Sequence, residues 1–113
     1  MRCRFLDEVG AVAAEFAAVL PAVVLMLGCA LCAIELGGEQ LRLQGATADA
    51  ARLLGRGDPG ASNRIEEVAP EARLTVRRSG DLVCADVAAP VSLGILSGIL
   101  LRALSCTLDD AQP

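Results

Sequence analysis

One acidic side chain interrupts the longest apolar stretch of this chain. Glu15 lies inside a run from Val9 to Leu36 whose other members are almost all apolar or small. An ionised carboxylate deep in a bilayer costs about 2.5–3.5 kcal/mol on insertion scales, and it costs less near the interface. Glu15 is therefore either a tolerated interfacial residue or a group that meets a cationic partner inside the membrane.

The rest of the side-chain inventory offers little for catalysis. The 113 residues include no His, Trp or Tyr, and all ten basic residues are Arg. The commonest acid–base and Schiff-base groups are therefore missing. The net charge of −4 argues against a nucleic-acid binder, which would show a basic face. No acid–base pair of carboxylates and no metal-ligand spacing stands out, so we expect no enzyme, no cofactor and no metal site.

Cys29 and Cys32 form a CxxC pattern within the apolar run. Outside a βαβ context, this pattern is better explained as small apolar filling than as a redox or metal site. The spacing of i and i+3 puts both residues on one helix face, where small side chains help helices to pack. Cys3 lies before the run.

The apolar run has the length of a membrane span, which takes about 20 apolar residues. Arg2 and Arg4 lie on its N-terminal flank. By the positive-inside rule, the N-terminus is expected in the cytoplasm and everything after Leu36 outside.

Two kinds of cleaved export signal fit the run poorly. It is longer than the h-region of a secretory signal peptide, and Glu15 and Pro21 interrupt it. The sequence Met-Leu-Gly-Cys ends as a lipoprotein signal does, but the residue before that glycine is Leu27 rather than a small residue. A membrane helix that remains in place is the favoured interpretation.

Helical spacing continues past the span and predicts an amphipathic helix over 37–56. Its apolar side continues a seven-residue interval that starts at Leu36, through Leu43 and Ala50, and also includes Ala46, Thr47 and Leu54. The pair Gly37–Gly38 offers a bend, and the breaker-rich run 55–60 is expected to end the helix. A short helix is predicted over 63–69, because Asn63 and Glu66 form a capping-box pattern.

Alternating residues then predict a β-hairpin with a turn at Ser79–Gly80. The apolar alternating positions are Leu74, Val76, Val83, Ala85 and Val87. Pro90 is expected to close the second strand, and a third strand is predicted within 103–110. The uncharged segment 91–101 is too short to span a bilayer. It is expected to be a loop or short helix on the sheet, with an interfacial helix or partner contact as the alternative.

Cys84 and Cys106 fall in predicted strands outside the membrane, where a disulfide can persist. A bridge that closes about 22 residues would contribute roughly 3 kcal/mol in the chain-entropy model, which helps a small domain. The alternation argues against the bridge. Cys106 is on the same strand face as apolar residues, whereas Cys84 is on the same strand face as Leu82 and Asp86. A disulfide and two free thiols both stay open.

Cleavage after Gly10 would create the cationic partner that Glu15 lacks. The new α-amine of Ala11 would lie four residues before Glu15, about 6 Å along a helix axis. The amine of one subunit could then pair with Glu15 of a neighbour. Glycine at position 10 also lets a protease approach an extended backbone closely.

This pattern resembles the type IV prepilin signal. Counted from Ala11, Glu15 is the fifth residue and Phe16 the sixth, as in the Flp/Tad branch of type IVb pilins. The segment GAVAAEFAAVLPAVVL, the long helix and a small domain with a Ser-Gly-Asp hairpin and an Ala-Pro-Val strand end resemble the TadE-like minor pilins, or pseudopilins. The resemblance covers residues 4–36 closely and 37–110 more loosely. Ala11 departs from the Phe that is usual at the first mature position of type IVa pilins.

The resemblance implies a substrate of a prepilin peptidase, cut between Gly10 and Ala11, that takes part in pilus assembly and cell adhesion. Glu15, Phe16 and Pro21 would be the assembly residues; Pro21 is either a kink that frees a backbone carbonyl or a residue without a role. Implied partners are the prepilin peptidase, other Tad pilins, the Tad inner-membrane platform and the lipid bilayer, with no nucleic acid. The alternative is a single-pass membrane-anchored adaptor that is never cleaved.

The expected fold is therefore α+β, with a long N-terminal transmembrane helix, a short helix and a small antiparallel sheet of about three strands. We expect a cytoplasmic leader over 1–10, a transmembrane helix over 11–36, its extension over 37–56 and a small α+β extracytoplasmic domain over 57–113. The expected location is the cytoplasmic membrane, crossed once, or the pilus.

Overall fold

The computed structural model describes residues 3–110, with side chains described throughout except at positions 3–7 and 93. Its elements are α1 (Cys3–Gly55), α2 (Ala61–Val68), β1 (Arg73–Ser79), β2 (Leu82–Leu93) and β3 (Leu96–Leu108). The strands form one antiparallel sheet in the order β1-β2-β3. The predicted α+β fold is confirmed; positions 1–2 of the expected leader and 111–113 of the expected outer domain lie outside the described residues.

The chain forms two compact units, the first ending at Glu35 and the second beginning at Leu36. The first unit is helical. From Glu8 to Glu35 its side chains are exposed except for half-buried Cys32. A helix that is apolar on all sides and uncovered suits lipid or neighbouring helices rather than water.

The second unit has its core between the last part of α1, α2 and one face of the sheet. The core consists of Leu43, Ala46, Ala50, Ala61, Ile65, Val87, Ala89 and Ala103. Thr47 is also fully buried, and its hydroxyl donates to the Leu43 carbonyl at 2.7 Å. The predicted apolar side of the extended helix is therefore confirmed at these buried positions.

The breaker-rich run ends α1 as predicted, through a Schellman motif. The N–H of Gly57 donates to the Leu54 carbonyl at 3.0 Å, and the N–H of Asp58 donates to the Leu53 carbonyl at 2.9 Å. These bonds satisfy carbonyls that the helix leaves free, and they require a left-handed residue at position 57. Gly57 supplies it with φ 75°.

The predicted capping box of the short helix is wrong. α2 begins at Ala61, its N-cap is Gly60, and no side chain caps it. Asn63 is therefore the third residue of the helix and cannot be its N-cap. A different turn precedes α2, because the N–H of Gly60 donates to Asp58 Oδ1 at 2.8 Å. Burial of Ala61 and Ile65, four residues apart, places the first turn of α2 against the core.

The first hairpin forms as predicted, but its two turn residues are Gly80 and Asp81 rather than Ser79 and Gly80, because Ser79 pairs with Leu82. Leu74 pairs with Val87 and Val76 with Ala85, so these residues share the core face of the sheet. The two-residue turn places Gly80 first, with φ 58°. This position of glycine is the one that a type II′ turn requires.

The predictions for Pro90 and for segment 91–101 are wrong. β2 continues through Pro90 to Leu93, and β3 begins at Leu96, so the segment is a second hairpin and not a loop or helix. Proline is tolerated because β1 pairs with β2 only up to Ala88. Beyond that residue β2 has an open edge, and a missing N–H there removes no ladder bond.

Candidate processing and assembly site

The predicted cleavage point lies within α1. Gly10 is exposed, and a Cβ at this position would meet no atom within 4 Å. The glycine is therefore not required for packing within the chain. It does weaken the helix, since Gly is about 1 kcal/mol less favourable than Ala in a helix interior. A protease that needs extended backbone would find this turn easier to unwind.

Glu15 lies one helical turn after Ala11, so that the two residues share a face of α1. Its side chain is exposed, and among the described residues none forms an ion pair with it. Phe16 is 69% exposed beside it. The fold of a single chain therefore leaves this carboxylate available to a group on another molecule.

Pro21 lies inside α1. Because proline has no N–H, the carbonyl of Ala17 loses its usual helical donor. In a bilayer such a carbonyl needs a partner from a neighbouring helix, a side chain or water.

Among the described residues one helix, Glu8–Gly55, is long and apolar enough to cross a bilayer, and its most apolar 18-residue stretch is not buried. Length and composition alone support this statement, and a signal sequence near an N-terminus would pass the same test. The helix is compatible with a single-pass membrane anchor.

The cysteines of the span lie on one face of α1, with Cys29 exposed and Cys32 half-buried. Within residues 3–110, no group of three or more His, Cys, Asp and Glu side chains is placed to hold a metal ion.

A disulfide joins Cys84 and Cys106, which stand directly opposite each other on β2 and β3 with Cα atoms 4.0 Å apart. Both lie on the outer face of the sheet, away from the core. The alternation of Cys106 with apolar residues had suggested that the two cysteines lie on opposite faces. This objection fails because Leu104 and Leu108, the apolar residues that alternate with Cys106, are themselves on the outer face.

The outer face of β3 is therefore mostly apolar, with exposed Arg102 between Leu100 and Leu104, and its inner face is partly polar. Leu100, Leu104 and Leu108 are 51%, 56% and 62% exposed. Ser105 and Thr107 occupy core-facing register positions opposite Ala85 and Val83. This inversion went unpredicted because alternation shows which residues share a face but not which face is buried.

Arg64 ties α2 to α1. Its guanidinium donates to Glu67 at 3.1 Å and to Asp49 at 3.3 Å. The hydrogen bond to Glu67, followed by that to Asp49, raises the pKa of Arg64. All three side chains are substantially exposed, so the network orients α2 more than it stabilises the unit.

Two ion pairs lie at the end of the sheet that carries the β1–β2 turn. Arg77 contacts Asp86 at 2.6 Å across β1 and β2, and Arg78 contacts the buried carboxylate of Asp109 at 2.8 Å. The N–H of Asp109 also donates to the Asp81 carbonyl at 2.8 Å. Arg77 and Arg78, which are neighbours in sequence, therefore each form an ion pair within the second unit.

An open cavity of about 380 Å³ lies in the second unit, between α1, the α2–β1 connection and the base of the second hairpin. Its lining is mostly apolar and includes Leu43, Val68 and Leu101. Two acidic residues, Glu39 and Glu71, also line it. Glu39 is close to Arg42, at 3.7 Å.

No family model matches the chain, and neither a curated protein nor a solved structure matches it. Residue chemistry and geometry therefore carry the functional conclusion.

Proposed function

We propose that this protein is a TadE-like minor pilin or pseudopilin that takes part in assembly of a Tad-type type IVb pilus. A prepilin peptidase would cut it between Gly10 and Ala11. The mature α1 would cross the cytoplasmic membrane once, with the second unit outside the cytoplasm. The proposal gives the chain no catalytic role.

The observation that carries the proposal is the setting of Glu15. Its carboxylate is exposed within the apolar part of α1, and it has no ionic partner among the side chains described. A buried, unpaired carboxylate is costly in lipid. An α-amine on Ala11 of a neighbouring subunit would remove that cost and would also set the axial register of the two helices.

The other residues of the site then take defined roles. Gly10 makes the cut accessible by weakening the helix around it. Phe16 offers a large apolar contact beside the ion pair, being 69% exposed in the single chain. Pro21 frees the Ala17 carbonyl, which a neighbouring helix can use.

N-terminal sequencing of the membrane-extracted protein tests processing directly. With an active prepilin peptidase, the mature chain is expected to begin at Ala11. Without the peptidase, it is expected to retain residues 1–10. Recovery of the uncut chain from cells that build the pilus normally would contradict the proposal.

A pair of acidic substitutions tests assembly. Glu15→Ala should leave membrane insertion and processing intact and should block incorporation or pilus formation, because the neighbour's amine loses its partner. Glu8→Ala is the matched control. It removes a carboxylate seven residues earlier, close to the same helix face, in the segment that processing removes.

The uncleaved adaptor predicts a different result. Both variants should then insert at least as well as wild type, and neither should affect any pilus. Pilus formation with Glu15→Ala at the wild-type level, measured by counting filaments, would favour the adaptor.

A further inference from the structure

The open cavity of about 380 Å³ in the second unit lacks a cation. We call it the acidic cleft, because Glu39 and Glu71 are the only charged residues among the described ones that line it, and the rest of its lining is mostly apolar. Glu71 is exposed and forms no ion pair with another described residue. Glu39 has one ionic partner, the exposed Arg42 at 3.7 Å. An exposed pair of this kind contributes little, so both carboxylates remain available to a cationic group.

The outer face of the sheet carries two cations that lack a partner. Arg73 on β1 pairs with Ala88 on β2, which pairs in turn with Arg102 on β3. These three residues, which we call the basic row, cross the sheet and place the two arginine Cα atoms about 10 Å apart, or two strand spacings. Both arginines are exposed, and neither guanidinium forms an ion pair with another described residue. Exposed Leu100 and Leu104 flank Arg102, so the surface around the row is partly apolar.

The acidic cleft and the basic row lie back to back at one level of the sheet. Ala89 and Leu101 pair with each other, face the core and line the cleft. The next pair along the two strands is Ala88 with Arg102. Successive residues of a strand point to opposite faces, so this pair points to the outer face. One second unit therefore presents the cleft on one face and the basic row on the other.

We propose that the basic row of one copy docks on the acidic cleft of a second copy, with its two guanidiniums beside the two carboxylates. Contact between two clefts would bring carboxylates together, and contact between two basic rows would bring guanidiniums together; both arrangements are repulsive. Contact between the two different surfaces joins opposite charges and covers the leucines beside Arg102. Because each copy carries both surfaces on opposite faces, this heterologous contact can repeat from copy to copy. The inference goes beyond the proposed function, since it needs neither cleavage nor Glu15.

A charge swap combined with cross-linking tests the contact on the full, uncut chain. One variant carries Glu39→Lys and Glu71→Lys in the cleft, and the other carries Arg73→Glu and Arg102→Glu in the basic row. The two variants are mixed in detergent micelles that hold more than one chain each. A carbodiimide then joins amines to carboxylates that are in contact. The chain has no Lys, so an amide between the introduced amine of one variant and the introduced carboxylate of the other reports this contact between two copies.

Glu66→Lys is the matched control for the cleft variant. Glu66 is an exposed acid that forms no ion pair with another described residue and does not line the cleft. Per introduced amine, the cleft variant is expected to give several-fold more cross-link to positions 73 and 102 than this control. In sedimentation, each charge-reversed variant alone should associate less than the wild type, because like charges then face each other, and the mixture should recover association.

Two results would overturn the inference. Equal cross-linking from position 66 and from the cleft would mean that the charged groups meet at random. Absence of the cross-link from the mixture, with wild-type hydrogen-exchange protection of β2 in both variants, would mean that this contact does not form and that the cleft serves a different partner. If a double variant loses that protection, Glu71→Lys with Arg102→Glu, both at exposed positions, gives the same readout.

The test is separate from that of the proposed function. The uncut chain has no α-amine at Ala11, and Glu15→Ala added to both variants should leave the cross-link unchanged. Loss of the cross-link therefore removes only the contact between second units, whereas pilus formation with Glu15→Ala at the wild-type level removes only the proposed pairing at Glu15.

Discussion

Replacement of Gly55 by alanine should separate the end of α1 from the end of β3. A Cβ on Gly55 would lie 2.6 Å from the Leu108 carbonyl oxygen and 2.7 Å from Thr107 Cγ2. Ordinary contact begins at about 3.4 Å, so the two elements must move apart by about 0.8 Å. The same place carries a hydrogen bond, from the N–H of Asp110 to the Gly55 carbonyl at 2.9 Å.

The expected cost follows from two opposing effects. Overpacking of a well-packed site costs about 1–3 kcal/mol. Alanine gains up to about 1 kcal/mol over glycine in a helix interior, and less in a last turn. Because the nearest atom is a backbone carbonyl, side-chain rotation cannot relieve the contact. We therefore expect Gly55→Ala to lower the free energy of unfolding of the second unit by about 0.5–2.5 kcal/mol, which is the overpacking cost less the alanine gain in a last turn.

Gly45→Ala is the matched control, since the same Cβ at position 45 meets no atom within 4 Å. This variant should be neutral or up to about 1 kcal/mol more stable. The chain has no Trp or Tyr, so intrinsic fluorescence reports little. Hydrogen exchange of the β2 amides, measured by mass spectrometry on the full chain in micelles, gives both values. Equal protection of the two variants, or greater protection in Gly55→Ala, would refute the close contact.

Two further predictions use the same exchange measurement. Joint Cys84→Ser and Cys106→Ser substitution should lower the free energy of unfolding by about 3 kcal/mol, because the bridge closes 22 residues of the unfolded chain; wild-type protection in the double variant would contradict this. Thr47→Val should change the free energy of unfolding by less than about 1 kcal/mol, since the Leu43 carbonyl keeps its helical donor. Thr47→Ser loses a buried methyl group and should lower the free energy of unfolding by about 1 kcal/mol. A large loss with Thr47→Val would mean that the hydroxyl contributes more than its single bond suggests.

The elements that the sequence predicted are those with one buried and one exposed side. Leu43, Ala46 and Ala50 recur at helical spacing and are buried. Val83 and Val87 alternate with more polar residues and are fully buried. In each case the burial of one side determines how the element packs, so the periodicity of its apolar residues predicts both the element and its buried side.

The helix ends show where local patterns compete. The pattern of Asn63 with Glu66 is typical of a capping box, but burial of Ala61 begins α2 two residues before Asn63. Tertiary packing therefore outweighed a cap worth about 1 kcal/mol. At the end of α1 no such conflict existed, and Gly57 supplied the left-handed residue that the termination motif needs.

The candidate site was predictable as a set of residues but not as an assembled site. The sequence placed Ala11 and Glu15 on one helix and Gly10 in a leader before it, whereas the structure has all three within α1. Ala11 and Glu15 share a face because they are one turn apart. The proposed ion pair, however, joins the Glu15 carboxylate to an α-amine that a second subunit gains only after a covalent cut, so a single uncut chain lacks that amine.

The second hairpin was not predicted, for a physical reason. Its turn signal, a glycine as the first of two turn residues, was present at Gly94, which has φ 53°. The flanking residues do not alternate between apolar and polar, because the second unit covers only the base of the hairpin, where Leu101 packs against the core. Leu104 and Leu108 on β3 are likewise apolar and exposed. Periodicity assigns apolar residues to the interior of the same chain, and it fails where those residues face something else. The second hairpin and the outer leucines are therefore apolar surfaces that the described fold leaves largely exposed.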